Sequence, residues 1–343
     1  AGLTAGVMAG TGSTGGAGGA GGRALTTSEI SRQVSPTLVD VNTRLGYQHG
    51  AAAGTGIVLT SSGEVLTNNH VIEGATSITA TDIGNGHTYR AKVVGYDEGD
   101  DVAVLQLQGA SGLKTATLGD SSALSVGQRV VALGNAGGRG GAPSVATGRV
   151  TGLNQAITAS DQGAATSERL TGLIQTSAGI QAGDSGGPLL NRSGQVIGMN
   201  TAASSGFQFQ GQGQGQTQAF AIPTGKAHTI ASQITAGQAS GGVHLGATAF
   251  LGIGLAPQSQ GAAGAGGQGA AISEVVPGAP AARAGLVPGD QIVSIGGHRV
   301  GSPSDVQSTM TGYHPGNRVS VSWLDQAGQS HSATVTLATG PAG

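Results

Sequence analysis

Gly183-Asp184-Ser185-Gly186-Gly187-Pro188 is the segment best suited to chemistry. A serine flanked by glycines sits on a tight turn where little hinders a substrate carbonyl, and neighbouring amides can converge on a developing oxyanion. The expected oxyanion hole is therefore the turn Gly183, Asp184 and Ser185, with the Gly183 and Ser185 amides as donors. The same residues fit Gly-X-Ser-X-Gly, the nucleophile elbow of α/β-hydrolases. Chain order separates the two. An elbow enzyme needs an acid and then a histidine after the serine, yet no Asp or Glu follows Ser185 until Glu274. It also needs a helix directly after the serine, whereas Pro188 to Gly198 reads as strand, turn, strand.

Upstream, His70 stands in Leu66-Thr-Asn-Asn-His-Val-Ile, at the end of an apolar strand where backbone on both sides would hold a general base. The other seven histidines lie in Gly-rich or polar surroundings and read as surface residues. Asp101 opens the apolar run Val102 to Leu107. A carboxylate at the mouth of a buried strand can fix an imidazole tautomer and stabilise the imidazolium. Asp97, Glu98 and Asp100 read as a solvated acidic turn, and the run lacks the spacing and closing glutamate of a calcium loop. His70, Asp101 and Ser185 follow the chain order of the chymotrypsin triad, with base and acid on one half-barrel and the nucleophile on the next.

The elements that must position these groups are short. Gly56–Thr60, Val65–Thr67, Ala91–Val94, Val102–Leu107, Val130–Leu133, Gly172–Gln175 and Val196–Met199 are β-branched, apolar-rich runs bounded by Gly, Asn, Asp or Ser. Helical periodicity is confined to the neighbourhoods of Glu29–Gln33 and Lys226–Thr235. Many short strands between Gly turns predict an antiparallel barrel or sandwich. A second body reads strand (Ile272–Val275), helix (Ala279–Ala284), strand (Gln291–Ile295), helix (Ser304–Thr311) and strands Val319–Leu324 and Ser332–Leu337. Together with Phe250–Leu255 it makes a small α+β module.

Composition narrows the function classes. The 343 residues predict two domains, and 66 glycines without Gly-X-Y periodicity exclude collagen. Fifteen basic against 17 acidic residues leave no basic stripe, so no nucleic-acid partner is expected. The absence of cysteine excludes disulfides, thiolate metal sites and cysteine nucleophiles. No His, Asp and Glu cluster has metal-ligand spacing, and Thr224-Gly-Lys-Ala falls short of a P-loop. Neither metal nor cofactor is expected. The chain opens on a small apolar stretch, Ala1 to Gly10, which reads as the trailing end of a signal or anchor segment.

These features resemble the HtrA (DegP-like) serine proteases, which join a chymotrypsin fold to a C-terminal PDZ domain. The resemblance rests on Gly54-Thr-Gly-Ile-Val-Leu, Leu66-Thr-Asn-Asn-His-Val, Asp101-Val-Ala-Val-Leu, Leu118-Gly-Asp-Ser, Gln175-Thr-Ser-Ala-Gly-Ile-Gln, Gly183-Asp-Ser-Gly-Gly-Pro, Val196-Ile-Gly-Met-Asn-Thr and Phe220-Ala-Ile-Pro. Val94-Gly-Tyr-Asp, Val104-Leu-Gln-Leu and Gly198-Met-Asn-Thr-Ala-Ala-Ser bring it near the secreted or membrane-tethered PepA-type proteases of mycobacteria and related actinobacteria. The resemblance implies a mainly β chain: a chymotrypsin-like double six-stranded barrel followed by an α+β PDZ domain. It implies a Gly-rich tail over 1–33, a protease domain over 34–232 with halves at about 34–125 and 126–232, a linker over 233–247 and a PDZ domain over 248–339.

It further implies a catalytic triad of His70, Asp101 and Ser185, and an S1 pocket for small aliphatic residues around Ile180, Gln218, Ala219 and Phe220. Phe250, Leu251, Gly252 and Ile253 resemble the PDZ carboxylate-binding loop, whose amides take a peptide C-terminus. The expected function is an endopeptidase for unfolded or damaged proteins, with a largely latent protease acting as chaperone or peptide sensor as the alternative. A secreted or cell-envelope location, a homotrimer and a membrane tether ahead of residue 1 are implied by the same resemblance. Two departures stand out: Asp184 replaces the Asn most of the family has before the serine, and a Gln/Gly repeat runs from Phe207 to Gln218, expected as a loop beside the pocket.

Overall fold

A computed structural model describes residues 24–47, 50–160, 167–201, 219–239, 242–256 and 269–342. The Gln/Gly repeat lies outside these. Chain entry is fixed by helix α1 (Thr27–Val34). Thr26 and Glu29 form a capping box, in which the Glu29 amide donates to Thr26 Oγ1 and the Glu29 carboxylate accepts from the Thr26 amide. Its buried Ile30 and Val34, one turn apart, pack into the protease core. Residues from Thr27 onward are therefore docked rather than part of a free tail.

The first body holds β1 (Leu38–Leu45), β2 (Gly50–Val58), β3 (Glu64–Thr67), β4 (Ser77–Asp82), β5 (Thr88–Asp97) and β6 (Val102–Leu107). Sheet order β5-β4-β1-β2-β3-β6 closes on itself through a β5–β6 pairing. Its interior is filled by Val39, Val41, Val58, Val65, Ala80 and Leu105, all inaccessible to solvent. The second body closes β7 (Arg129–Gly134), β8 (Ser144–Ser160), β9 (Ser167–Thr176), β10 (Pro188–Leu190), β11 (Val196–Thr201) and β12 (Ala219–Pro223) into a six-stranded barrel. Both expected barrels are present.

Ile57, Leu66, Val102 and Val104 of the first barrel share one apolar cluster with Leu133, Leu173, Leu190 and Ile222 of the second. Burying each such side chain contributes about 1.5–3 kcal/mol, so the cleft between the barrels has rigid walls. Two short helices serve this body: α2 (Asn69–Ile72), directly after β3, and α3 (Thr224–Thr235), directly after β12.

The segment expected as a linker is partly strand. β13 (Val243–Leu245) pairs with β5 in the register Val243 to Asp97. This pairing buries His244 between the rings of Tyr96 and His314, so the surface reading of that histidine was wrong. A Gly-rich approach hides a strand that only its partner reveals.

The C-terminal body is built from β14 (Ala249–Phe250), β15 (Ile253–Leu255), β16 (Ala270–Val275), α4 (Pro280–Ala284), β17 (Gln291–Ile295), β18 (His298–Arg299), α5 (Pro303–Met310), β19 (Arg318–Leu324), β20 (Ser330–Thr336) and β21 (Ala338–Thr339). Val319, Val321 and Trp323 alternate inward on β19 as their spacing predicts. Ser302 caps α5 by accepting from the Asp305 amide, and Pro303 opens the helix, where its missing N–H costs nothing. No helix among the described residues is long and apolar enough to cross a membrane.

Candidate active site

His70 lies on α2 rather than at the end of the strand. Val71 and Ile72 are buried and anchor the turn, which leaves the His70 side chain 17% exposed. Asp101, 2% exposed, lies in the turn from β5 into β6 with φ 54°, a left-handed conformation that Asp and Asn tolerate better than most residues. Its carboxylate faces Nδ1 of His70 at 3.0 and 2.9 Å, and Oδ1 also accepts the His70 backbone N–H at 3.0 Å. Nδ1 then carries the proton, and Nε2 is left basic.

Two residues that sequence reasoning missed complete this pair. Thr201 donates its hydroxyl to Asp101 Oδ2 at 3.1 Å, and Asn68 Nδ2 donates to the Asp101 carbonyl at 3.0 Å. Thr201 ends β11, and the neighbouring Asn200 carbonyl accepts the Gly186 N–H at 2.9 Å. The second barrel thus holds the Asp101 carboxylate and the Ser185 turn with consecutive residues.

Ser185 is buried, and its carbonyl accepts from the Thr55 amide of β2 at 2.8 Å. A Cβ at Gly54, the preceding residue, would meet Val71 at 2.7 Å and the Ser185 carbonyl at 3.2 Å. β2 is thereby wedged between the His70 helix and the serine turn.

The turn expected to form the oxyanion hole is held from outside. Thr55 Oγ1 donates to the Gly183 carbonyl at 2.8 Å and accepts from the Asn135 amide at 2.9 Å. The Ala182 carbonyl accepts from the Gly137 amide at 2.7 Å. In a trans peptide the N–H points opposite to the carbonyl, so the Gly183 N–H is directed away from Gly137; it has no partner among the described residues. Gly183 has φ 94°, and a Cβ there would fall 2.1 Å from the Asn135 carbonyl. Glycine is required on both counts.

Asp184 has neutral partners. Ser144 donates its hydroxyl to Oδ1 at 2.8 Å and the Gln181 amide donates to Oδ2 at 2.9 Å. Burial pushes this carboxyl above the usual range, and the two hydrogen bonds only partly offset that. A raised native pKa means the folded state binds more protons than the unfolded one, so this group's contribution to stability falls as pH rises from about 4. In Asp184→Asn, Oδ1 can accept from Gln181 while Nδ2 donates to Ser144, whose hydroxyl still reaches the Gly134 carbonyl at 3.0 Å. Thermal unfolding of this variant should match the parent near pH 4 and exceed it at pH 7, by about 2–4 °C per kcal/mol gained. A variant less stable than the parent at pH 7 contradicts this reading.

Of the expected pocket residues, Ile180 is half-buried against the cluster of Val150, Ile174 and Leu189. Ala219 and Phe220 are buried at the start of β12, with Phe220 in the shared core beside Met199 and Ile222. Gln218 lies outside the described residues. In the C-terminal body, Phe250 ends β14, Leu251 joins the core and Ile253 opens β15. Gly252 has φ 84°, and a Cβ there would strike Ala279 at 2.1 Å. The Leu251 and Gly252 amides have no partner among the described residues. A groove of about 340 Å³ runs from this loop between β15 and α5.

Comparison with known proteins follows this division. Residues 54–199 match the trypsin-like peptidase domain, and residues 272–318 match the PDZ domain. A probable periplasmic serine protease do/HhoA-like of Haemophilus influenzae is 36% identical over 292 residues, 83% of this chain and 58% of that protein. The chain belongs to the HtrA/DegP-like serine protease family. Serine protease PepD of Mycobacterium tuberculosis, another relative of this HtrA-type chain, is 34% identical over 326 residues, 91% of this chain and 66% of that protein. The chain spans less than two thirds of the length of either relative. Among solved structures, the HtrA-type protease AlgW with a tripeptide is 28% identical with a TM-score of 0.52, over 93% of this chain and 98% of that one.

Proposed function

We propose that this HtrA-type chain is a serine endopeptidase that cleaves unfolded or damaged proteins outside the cytoplasm. The observation that carries the reading is the His70–Asp101 pair, tied by Thr201 to the strand that also holds the Ser185 turn. Ser185 Oγ attacks the scissile carbonyl carbon while His70 Nε2 takes its proton. The tetrahedral oxyanion is stabilised by the Gly183 and Ser185 amides. His70 then returns the proton to the leaving amine, and water releases the acyl group by the same steps in reverse order. Asp101 orients His70 and stabilises the imidazolium.

The direction of the Ala182–Gly183 peptide favours an enzyme over a latent chaperone, because an open hole needs the Gly183 N–H rather than the Ala182 carbonyl turned inward. We assign the 250–253 loop and its groove to peptide C-termini, which add a strand beside β15. The periplasmic relatives support an extracytoplasmic location. Assembly as a homotrimer and a tether ahead of residue 1 belong to the same proposal and rest on the family resemblance. The test is cleavage of unfolded casein by the parent chain and by Ser185→Ala.

A further inference from the structure

The peptide groove is not built from the C-terminal body alone. Its apolar lining includes Leu251, Ile253, Leu255, Val306 and Met310, and the first barrel adds Glu73. Glu73 directly follows α2, and its place is fixed by two backbone bonds from the next residues to the end of the chain. The Gly74 amide donates to the Ala342 carbonyl at 2.7 Å, and the Ala342 amide donates to the Ala75 carbonyl at 2.8 Å. On the same side, the ring of Tyr47 stacks on Phe250 with centroids 5.1 Å apart, and the Tyr96 hydroxyl lies 3.3 Å from Thr248 Oγ1, just ahead of β14.

Among the described residues that line the groove, Glu73 is the one ionisable side chain. A second carboxylate of the first barrel, Glu98, accepts from Nε2 of the groove residue Gln307 at 2.5 Å. The Tyr96 hydroxyl is pushed up first by burial and further by the charges of both Glu98 and Glu73, which places both acids within electrostatic reach of this corner. Apolar walls focus such a field. A peptide that brings its own C-terminal carboxylate to the 250–253 loop meets the charge of these acids, and no Lys or Arg is among the described residues that line the groove.

We propose that Glu73 makes the groove selective for peptides that carry a Lys or Arg within the last few residues beside an apolar C-terminal residue. The basic side chain offsets the ligand's carboxylate and meets Glu73 at the groove's rim. This inference rests on the reading of 250–253 as a peptide-binding loop and adds to it the charge of the ligand.

The test uses the full chain carrying Ser185→Ala, so that the probes survive, and three fluorescent hexapeptides that end in the same free leucine and differ only in Lys, Ala or Glu at the penultimate position. In low salt the Lys peptide should bind tightest and the Glu peptide weakest, with about tenfold between them, shrinking at high ionic strength. Adding Glu73→Gln should bring the three to within about twofold, and Glu73→Lys should invert the order. Three peptides that bind equally to the unaltered groove, or a ranking that persists in Glu73→Gln, would overturn the role of Glu73 while leaving the groove as a peptide site. Failure of all three to bind would overturn the groove reading itself, and the inference with it.

Discussion

Ser185→Ala should cleave unfolded casein at least four orders of magnitude more slowly than the parent, with the unfolding transition unchanged. The size follows from what is removed. Without Oγ no acyl-enzyme forms, and the remaining oxyanion amides and binding contacts supply only the residual catalysis seen when triad nucleophiles are deleted. The fold should survive because the hydrogen bond between Ser185 and Thr55 of β2 runs through the Ser185 carbonyl, and Gly186 is held by its own amide. Peptide release in initial-rate assays, with circular dichroism as the folding control, decides the point. Parent-like cleavage would remove Ser185 from the mechanism.

Asp101→Asn should have the second largest effect, a loss of about 10⁴ in kcat with little change in KM. Asparagine fits the left-handed backbone at this position as well as aspartate does. Its carboxamide can still take the His70 backbone N–H through its oxygen, but its NH₂ then faces Nδ1 where the second carboxylate oxygen stood. That contact demands an unprotonated Nδ1 and moves the proton to Nε2, the atom that must accept it from Ser185. An equal rise in KM and fall in kcat would show instead that Asp101 shapes substrate binding. A kcat near that of the parent would remove it from the triad.

Much of this arrangement was legible in the residues. The Gly-flanked serine, a histidine bounded by apolar positions and an aspartate at the mouth of a buried strand are local signals, and their chain order added the topology. The inward stripe of Val319, Val321 and Trp323 was legible for the same reason, since a period of two needs no partner to be read. What stayed hidden depends on distant pairing. Thr201 lies 100 residues from Asp101, and nothing in Met-Asn-Thr marks its hydroxyl as a donor to that carboxylate. Nothing in the sequence marks the partners of Asp184, which are the neutral Ser144 hydroxyl and the Gln181 backbone amide.

The acidic run before Asp101 shows the same limit. It read as a solvated turn, yet each acid has a partner. Asp97 is buried and accepts from the Asp100 amide, Asp100 pairs with Lys226 of α3 at 2.5 Å, and Glu98 reaches Gln307 on α5. The turn that presents Asp101 is therefore braced by α3 and by α5, a wall of the groove beside the 250–253 loop. Sequence composition cannot distinguish such a brace from a hydrated loop, because acidic residues serve both.

The central claim is that Ser185 is an activated nucleophile facing a formed oxyanion hole. Fluorophosphonate labelling of the full chain tests it most directly, because the reagent reacts only with a serine whose proton has an acceptor and whose adduct oxygen has donors. Intact mass and peptide mapping should show a single adduct on Ser185, lost in Ser185→Ala and slowed by orders of magnitude in His70→Ala. An unlabelled parent chain, or an adduct on any other residue, would contradict the account.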